Sequence, residues 1–131
     1  MIEKTRWSVD DLRLIEAAGE LEIAVRRSDG SLRRWVPIWV VCAGDQAYVR
    51  TWYRRDTGWF GQTLHARQAR IRVPGLEADV TIEHVGDASA ADVNGAYRTK
   101  YGPGGADSMV TAEAVTTTLR LHPVPSHRGG G

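Results

Sequence analysis

The chain has 131 residues, 42% hydrophobic and 25% charged, with a formal net charge of +1. Those values exclude a disordered chain, and 17 Lys+Arg against 16 Asp+Glu exclude the basic excess of a dedicated nucleic-acid binder. The lone Cys42 excludes an intramolecular disulfide framework and a cysteine zinc site.

That cysteine usage fits a reducing compartment, and a cytoplasmic location is expected by default. No apolar run approaches the roughly 20 residues of a membrane span, and Met1 to Arg6 lacks the basic-then-apolar order of a signal peptide. Membrane and nucleic-acid partners are therefore not expected. Fifteen of the basic residues are Arg, and ten of these fall between Arg26 and Arg72, so a local anion site is compatible with the balanced total. The length suits one core, and the expected division is a single domain over 1–123 with a flexible C-terminal tail over 124–131.

Ser8, with Asp11 three residues on, is a capping-box variant flanked by Trp7 and Leu12. A helix is predicted from there, carrying Leu12, Ile15 and Ala18 on one face and stopping at Gly19 in a left-handed cap. Leu21, Ile23 and Val25 then alternate with Glu22, Ala24 and Arg26 as a strand, and Ser28, Asp29 and Gly30 supply a turn. The nearly continuous apolar run within Leu32 to Cys42 predicts a central strand, with Pro37 marking a bulge or the departure of a neighbour. Gln46 to Trp52 reads as a third strand, with Tyr48, Arg50 and Trp52 on one face.

After the polar stretch Tyr53 to Gly58, Trp59, Phe60, Thr63 and Leu64 fall on a helical stripe. Ile71 and Val73 alternate with Arg70 and Arg72 as a fourth strand, and Leu76 to Val85 alternates as a fifth. Ser89 and Asp92 repeat the cap pattern before a helix carrying Val93, Ala96, Tyr97, Lys100 and Tyr101, which Gly102 ends. A flexible segment to about Glu113 and a closing strand from Val115 to Leu121 complete an α+β barrel.

Arg50, Arg54, Arg55 and Gly58 place guanidinium groups on a loop entering a helix N-terminus, a composition suited to a phosphate or carboxylate and equally to a solvated surface loop. Arg70 and Arg72 extend that positive surface or simply face solvent. Trp35 and Trp39 share a strand face and line either a pocket or the core. Tyr97 and Tyr101, four apart on a helix, present phenols for proton donation or stack in the core. His65, His84, His122 and His127 have no metal-ligand spacing, so no metal is expected.

"LEIAVRRSDGSLRR" continuing "WVPIWVVCAGDQAYVRTW" resembles the first strands of split-barrel nitroreductases that use a deazaflavin coenzyme. Trp59, Phe60 and Leu64 resemble the helix start that follows their phosphate loop. A closer resemblance, over nearly residues 7 to 123, is to a bacterial domain of unknown function 2255, through "WSVDDL", "VPIWVV", "YVRTW" and "AYRTKYG". The resemblance implies an α+β fold with a six-stranded antiparallel split β-barrel and flanking helices, paired as a homodimer, with FMN or a deazaflavin coenzyme near the interface. By that resemblance the cofactor's phosphate lies at Arg50, Thr51, Trp52, Arg54, Arg55 and Gly58, its tail at Trp59, and its ring along Val36, Pro37 and Ile38. Tyr97 or Tyr101 assists proton transfer to a small organic substrate.

Two other functions remain open from the residues. One is a cofactor-free cyclase or isomerase of a biosynthetic pathway, with its pocket lined by Trp35, Trp39 and Trp52. The other is a non-catalytic small-molecule-binding protein.

Overall fold

The computed structural model describes residues 7–51 and 58–124. Helix α1 (Val9–Ala17) starts as the Ser8 cap predicts, with the Ser8 side chain accepting from the Asp11 backbone N–H at 3.0 Å. Its end differs from expectation. Ala18 is the cap residue in an extended conformation, so the turn needs no left-handed glycine at Gly19. Ile15 and Ala18 are buried, and Trp7 is drawn in beside them by a hydrogen bond from its Nε1 to the Leu121 carbonyl at 3.0 Å.

Seven strands follow: β1 (Leu21–Val25), β2 (Val36–Ile38), β3 (Val40–Ala43), β4 (Gln46–Val49), β5 (Gln68–Val73), β6 (Leu76–His84) and β7 (Leu119–Pro123). They form one antiparallel sheet in the order β2-β1-β5-β6-β7-β4-β3. Only Trp39 separates β2 from β3, so the two ends of the sheet are joined through one residue and the sheet curls nearly closed. The expected count of six becomes seven because the single apolar strand is broken at Trp39.

That strand is also not central. Its halves occupy the two ends of the sheet, and its apolar run is continuous because β2 and β3 send residues into the barrel while the outward side of β3 is covered by a helix. Pro37 stands opposite Glu22 on β2, which has a neighbour on one side alone, where a residue without an N–H is tolerated.

Alternation sorts the side chains. Leu21 and Ile23, Val36 and Ile38, Ala47 and Val49, Ala69 and Ile71, Val80 and Ile82, and Leu119 and Leu121 fill the barrel. Helix α1 covers part of it, touching β3, β4 and β6. Leu14 lies so near the β5–β6 turn that a Cβ on Gly75, whose φ is +89°, would stand 3.2 Å from the Leu14 Cδ2. Helix α2 (Gly58–Ala66) packs on β1 and β5.

Helix α3 (Ala90–Ala106) lies on the outer side of β3. Gly102 interrupts it with φ 82° and ψ 158°, where the expected helix end falls. The cap at Ser89 forms no side-chain hydrogen bond, contrary to the pattern read there. The segment expected to be loose instead contains a 3-10 turn, Asp107–Met109, and helix α4 (Ala112–Val115). The closing strand accordingly starts at Leu119 rather than Val115. Val124 still donates its N–H to the Asp79 carbonyl, and residues 125–131 lie outside the described residues.

Candidate functional site

Inward Ala47 and Val49 leave Tyr48 and Arg50 on the outer side of the β4 segment, where α3 runs. Val93 and Tyr97, four apart on α3, bury against Val41, Tyr48 and Met109. Arg50 follows the last residue of β4 and is drawn under this cover, only 1% exposed.

Its guanidinium is held on three of five N–H groups. Nε donates to Thr118 Oγ1 at 2.8 Å, and Nη1 donates to Asn94 Oδ1 at 2.6 Å and to the Met109 carbonyl at 2.7 Å. Nη2 is buried without a partner among the described residues. Among the described residues no carboxylate pairs with Arg50, whereas Arg26, Arg70, Arg72 and Arg120 each have one.

The Arg50 Cζ stands 5.4 Å from the Tyr97 ring centroid, a cation–π contact that offsets part of the cost of burying the charge. Burial lowers the Arg50 pKa, and Tyr97 opposes that shift. The Tyr97 side chain is fully buried, and its hydroxyl, near the Arg50 backbone N–H, has no acceptor among the described residues. Burial pushes this phenol well above its ordinary range against the pull of the Arg50 charge, so it stays protonated.

Tyr101 is committed differently. Its ring stacks on Trp39 with centroids 4.0 Å apart and planes 5° apart. Its hydroxyl lies 2.8 Å from the Gly19 carbonyl and accepts from the Val40 N–H at 3.2 Å. Burial pushes its pKa up to about 12. Beside it Lys100 donates to the Val40 carbonyl at 2.8 Å, so Tyr101 and Lys100 together fasten α3 to β3. Cys42, half-buried near Leu12, has its thiol pushed up to about 12 by burial and does not act as a thiolate at neutral pH.

The remaining sequence candidates are dispersed. Val36 and Ile38 turn into the barrel and Pro37 is exposed outside. Thr51 is buried, its N–H donating to Thr117 Oγ1 at 3.0 Å. Gly58 and Trp59 open α2, while Trp52, Arg54 and Arg55 lie outside the described residues. Trp35 lies under the Arg72 guanidinium, 4.0 Å from ring centroid to Cζ, while Trp39 stacks on Tyr101, so these two do not share one pocket wall. Arg70 and Arg72 are both ion-paired.

Spacing had no means of finding Asn94, Met109 and Thr118, because they stand 44, 59 and 68 positions from Arg50 in the chain. Among the described residues no cluster of His, Cys, Asp and Glu is arranged to hold a metal ion, and no helix is long and apolar enough to cross a membrane.

A curled antiparallel sheet, sealed by helices and split along one bent strand, gives the chain an α+β split-barrel fold. The chain belongs to the family described as "uncharacterized protein conserved in bacteria (DUF2255)", whose model matches residues 11–121.

Solved structures share the fold. A conserved hypothetical protein from Mycobacterium tuberculosis superposes with a TM-score of 0.62 at 10% identity, over 98% of this chain and 86% of its own. An F420 reductase gives 0.55 at 15% identity, over 87% and 91% respectively. A FAD-binding protein from Mesorhizobium loti gives 0.55 at 12% identity, over 97% and 95%. At these identities the likeness is one of fold. No curated protein matches the sequence.

Proposed function

We propose that the chain is a flavin- or deazaflavin-dependent oxidoreductase, nitroreductase-like, that takes FMN or the deazaflavin coenzyme and acts on a small organic substrate. The observation that carries this reading is Arg50, a buried cation with no carboxylate partner among the described residues, at the foot of the Arg-bearing stretch that leads into α2. An uncompensated positive charge raises the potential around it, which favours an anionic cofactor. Fold likeness to an F420 reductase and to a FAD-binding protein is a second support.

The described residues suit such a group in two respects. Pro37 is exposed on the outside of β2, and α2 begins at Gly58, the first N–H groups of a helix having no intrahelical partner and being of the kind that receive phosphate. In this reading Arg54, Arg55 and the α2 N-terminus hold the phosphate, Trp59 packs on the tail, and Pro37 lies beside the ring. The bound cofactor supplies hydride transfer. Thr117 fixes the backbone of Thr51 at the loop's root. Tyr97, whose hydroxyl has no acceptor among the described residues, rather than Tyr101, is the phenol left to meet substrate. The chain acts as a cytoplasmic homodimer in this reading.

Absorbance and Trp fluorescence titrations with FMN and with the deazaflavin coenzyme test it. Saturable binding in the micromolar range, lost in the Arg54→Ala/Arg55→Ala double variant, is expected. A wild-type protein that binds neither cofactor ends the oxidoreductase reading.

A further inference from the structure

We infer that Arg50 and Tyr97 form an internal recognition point for a monoanionic carboxylate, such as the acid group of a small-molecule substrate. The site rests on these two residues and their cover, and it stands whether or not a cofactor binds elsewhere.

Donor counting points to that ligand class. Three of the five guanidinium N–H groups are taken by Thr118, Asn94 and the Met109 carbonyl, all neutral acceptors, and both N–H groups of Nη2 are left over. The Tyr97 hydroxyl, near the Arg50 backbone N–H and with no acceptor for its own hydrogen among the described residues, is a further donor on the ring that the same guanidinium faces. A carboxylate offers two oxygens to these three donors and brings one negative charge to one uncompensated positive charge. A water molecule satisfies donors but leaves the buried charge uncompensated, and a phosphate dianion brings one charge too many and oxygens for which no donor remains.

The free donors are covered, so entry requires the cover to move. The segment that carries Met109 over Arg50 follows the break at Gly102 and consists of short helical pieces, Asp107–Met109 and Ala112–Val115. The Met109 carbonyl ties it to the guanidinium. Entry on this proposal calls for the short turns beyond Gly102 to shift as a strap, while Lys100 and Tyr101 fasten α3 to β3.

The test uses the full chain and three sodium salts at equal ionic strength: acetate, chloride and phosphate. Thermal unfolding and Trp fluorescence are followed in wild type and in Tyr97→Phe, Arg50→Gln and Arg70→Gln. Acetate is expected to raise Tm saturably above the chloride series. Tyr97→Phe, which keeps ring and charge, should weaken acetate about tenfold, the worth of one charge-assisted hydrogen bond.

Arg70→Gln, on the paired outer face, should leave the response unchanged. An acetate effect no larger than that of chloride, a preference for phosphate, or an unchanged response in Tyr97→Phe overturns the inference. Tyr97→Phe decides the matter should Arg50→Gln not fold. Cofactor titration on the same variants separates the two readings: acetate binding without cofactor binding removes only the oxidoreductase, and the reverse removes only this site.

Discussion

Two outward-facing parts of the same sheet treat arginine in opposite ways. Over β1, β5 and β6, Arg26 and Arg70 share Asp79, Arg70 also reaches Glu77, and Arg72 pairs with Glu22 while lying over Trp35. All of these groups keep contact with water. Beyond β4, under α3, Arg50 is buried among neutral acceptors and an aromatic ring.

An exposed lattice of pairs is a weak source of stability, since solvent and salt screen it. A buried cation without a counter-charge is costly to retain, and its neighbours are organised around it. The contrast teaches that a count of arginines along this sequence says little, and that the covering element decides what each one does.

The contrast is easiest to break at Arg50. Arg50→Ala removes a large buried side chain and leaves Asn94, Thr118 and the Met109 carbonyl without their donor, and a loss of about 3–5 kcal/mol is expected in urea unfolding. Arg50→Met keeps volume without charge and should lose distinctly less. Equal losses in the two variants would show that the charge, not the packing, is what the surrounding structure needs.

Gly102→Ala comes next, because its φ of 82° with ψ of 158° belongs to a region open essentially to glycine alone. A loss of about 1–3 kcal/mol is expected, and wild-type stability would mean that the strap over Arg50 relaxes at no cost. Tyr97→Phe should stabilise the ligand-free protein by about 1 kcal/mol, since it deletes a buried hydroxyl whose hydrogen has no acceptor among the described residues. A destabilised variant would reveal a partner for that hydroxyl.

The smallest effect belongs to the outer lattice. Arg70→Gln should cost less than about 1 kcal/mol at pH 7 and less again in high salt. The Arg70 side chain, followed by Arg26, holds the Asp79 carboxyl below its ordinary value of 3.8. The stability from that depressed value is therefore present above pH 3.8 and is lost as the pH falls through the lower folded value. The Arg70→Gln penalty should shrink over that acid range, and a penalty unchanged by acid or salt would contradict the pairing.

Residue order alone revealed much of this molecule. The period-two alternation of Leu21 to Val25, of Gln68 to Val73 and of Leu76 to His84 marks strands with one face in the barrel, and Ser8 with Asp11 marks the start of α1, because these are contacts within a few positions. The Arg-rich stretch after β4 was visible as an anion-site composition for the same local reason. Alternation also places Tyr48 and Arg50 on one side and Val49 on the other. It does not say what covers that side, and solvent and α3 are both consistent with the pattern.

Only the tertiary structure set Arg50 under α3 among partners 44 to 68 positions away, gave Trp39 to Tyr101 and Trp35 to Arg72, and split one apolar strand between the two ends of the sheet. Local pattern determines which way a side chain points. Whether it then meets water, a counter-charge or an apolar wall depends on an element folded back from elsewhere in the chain, and that choice decided which of these arginines carries an uncompensated charge.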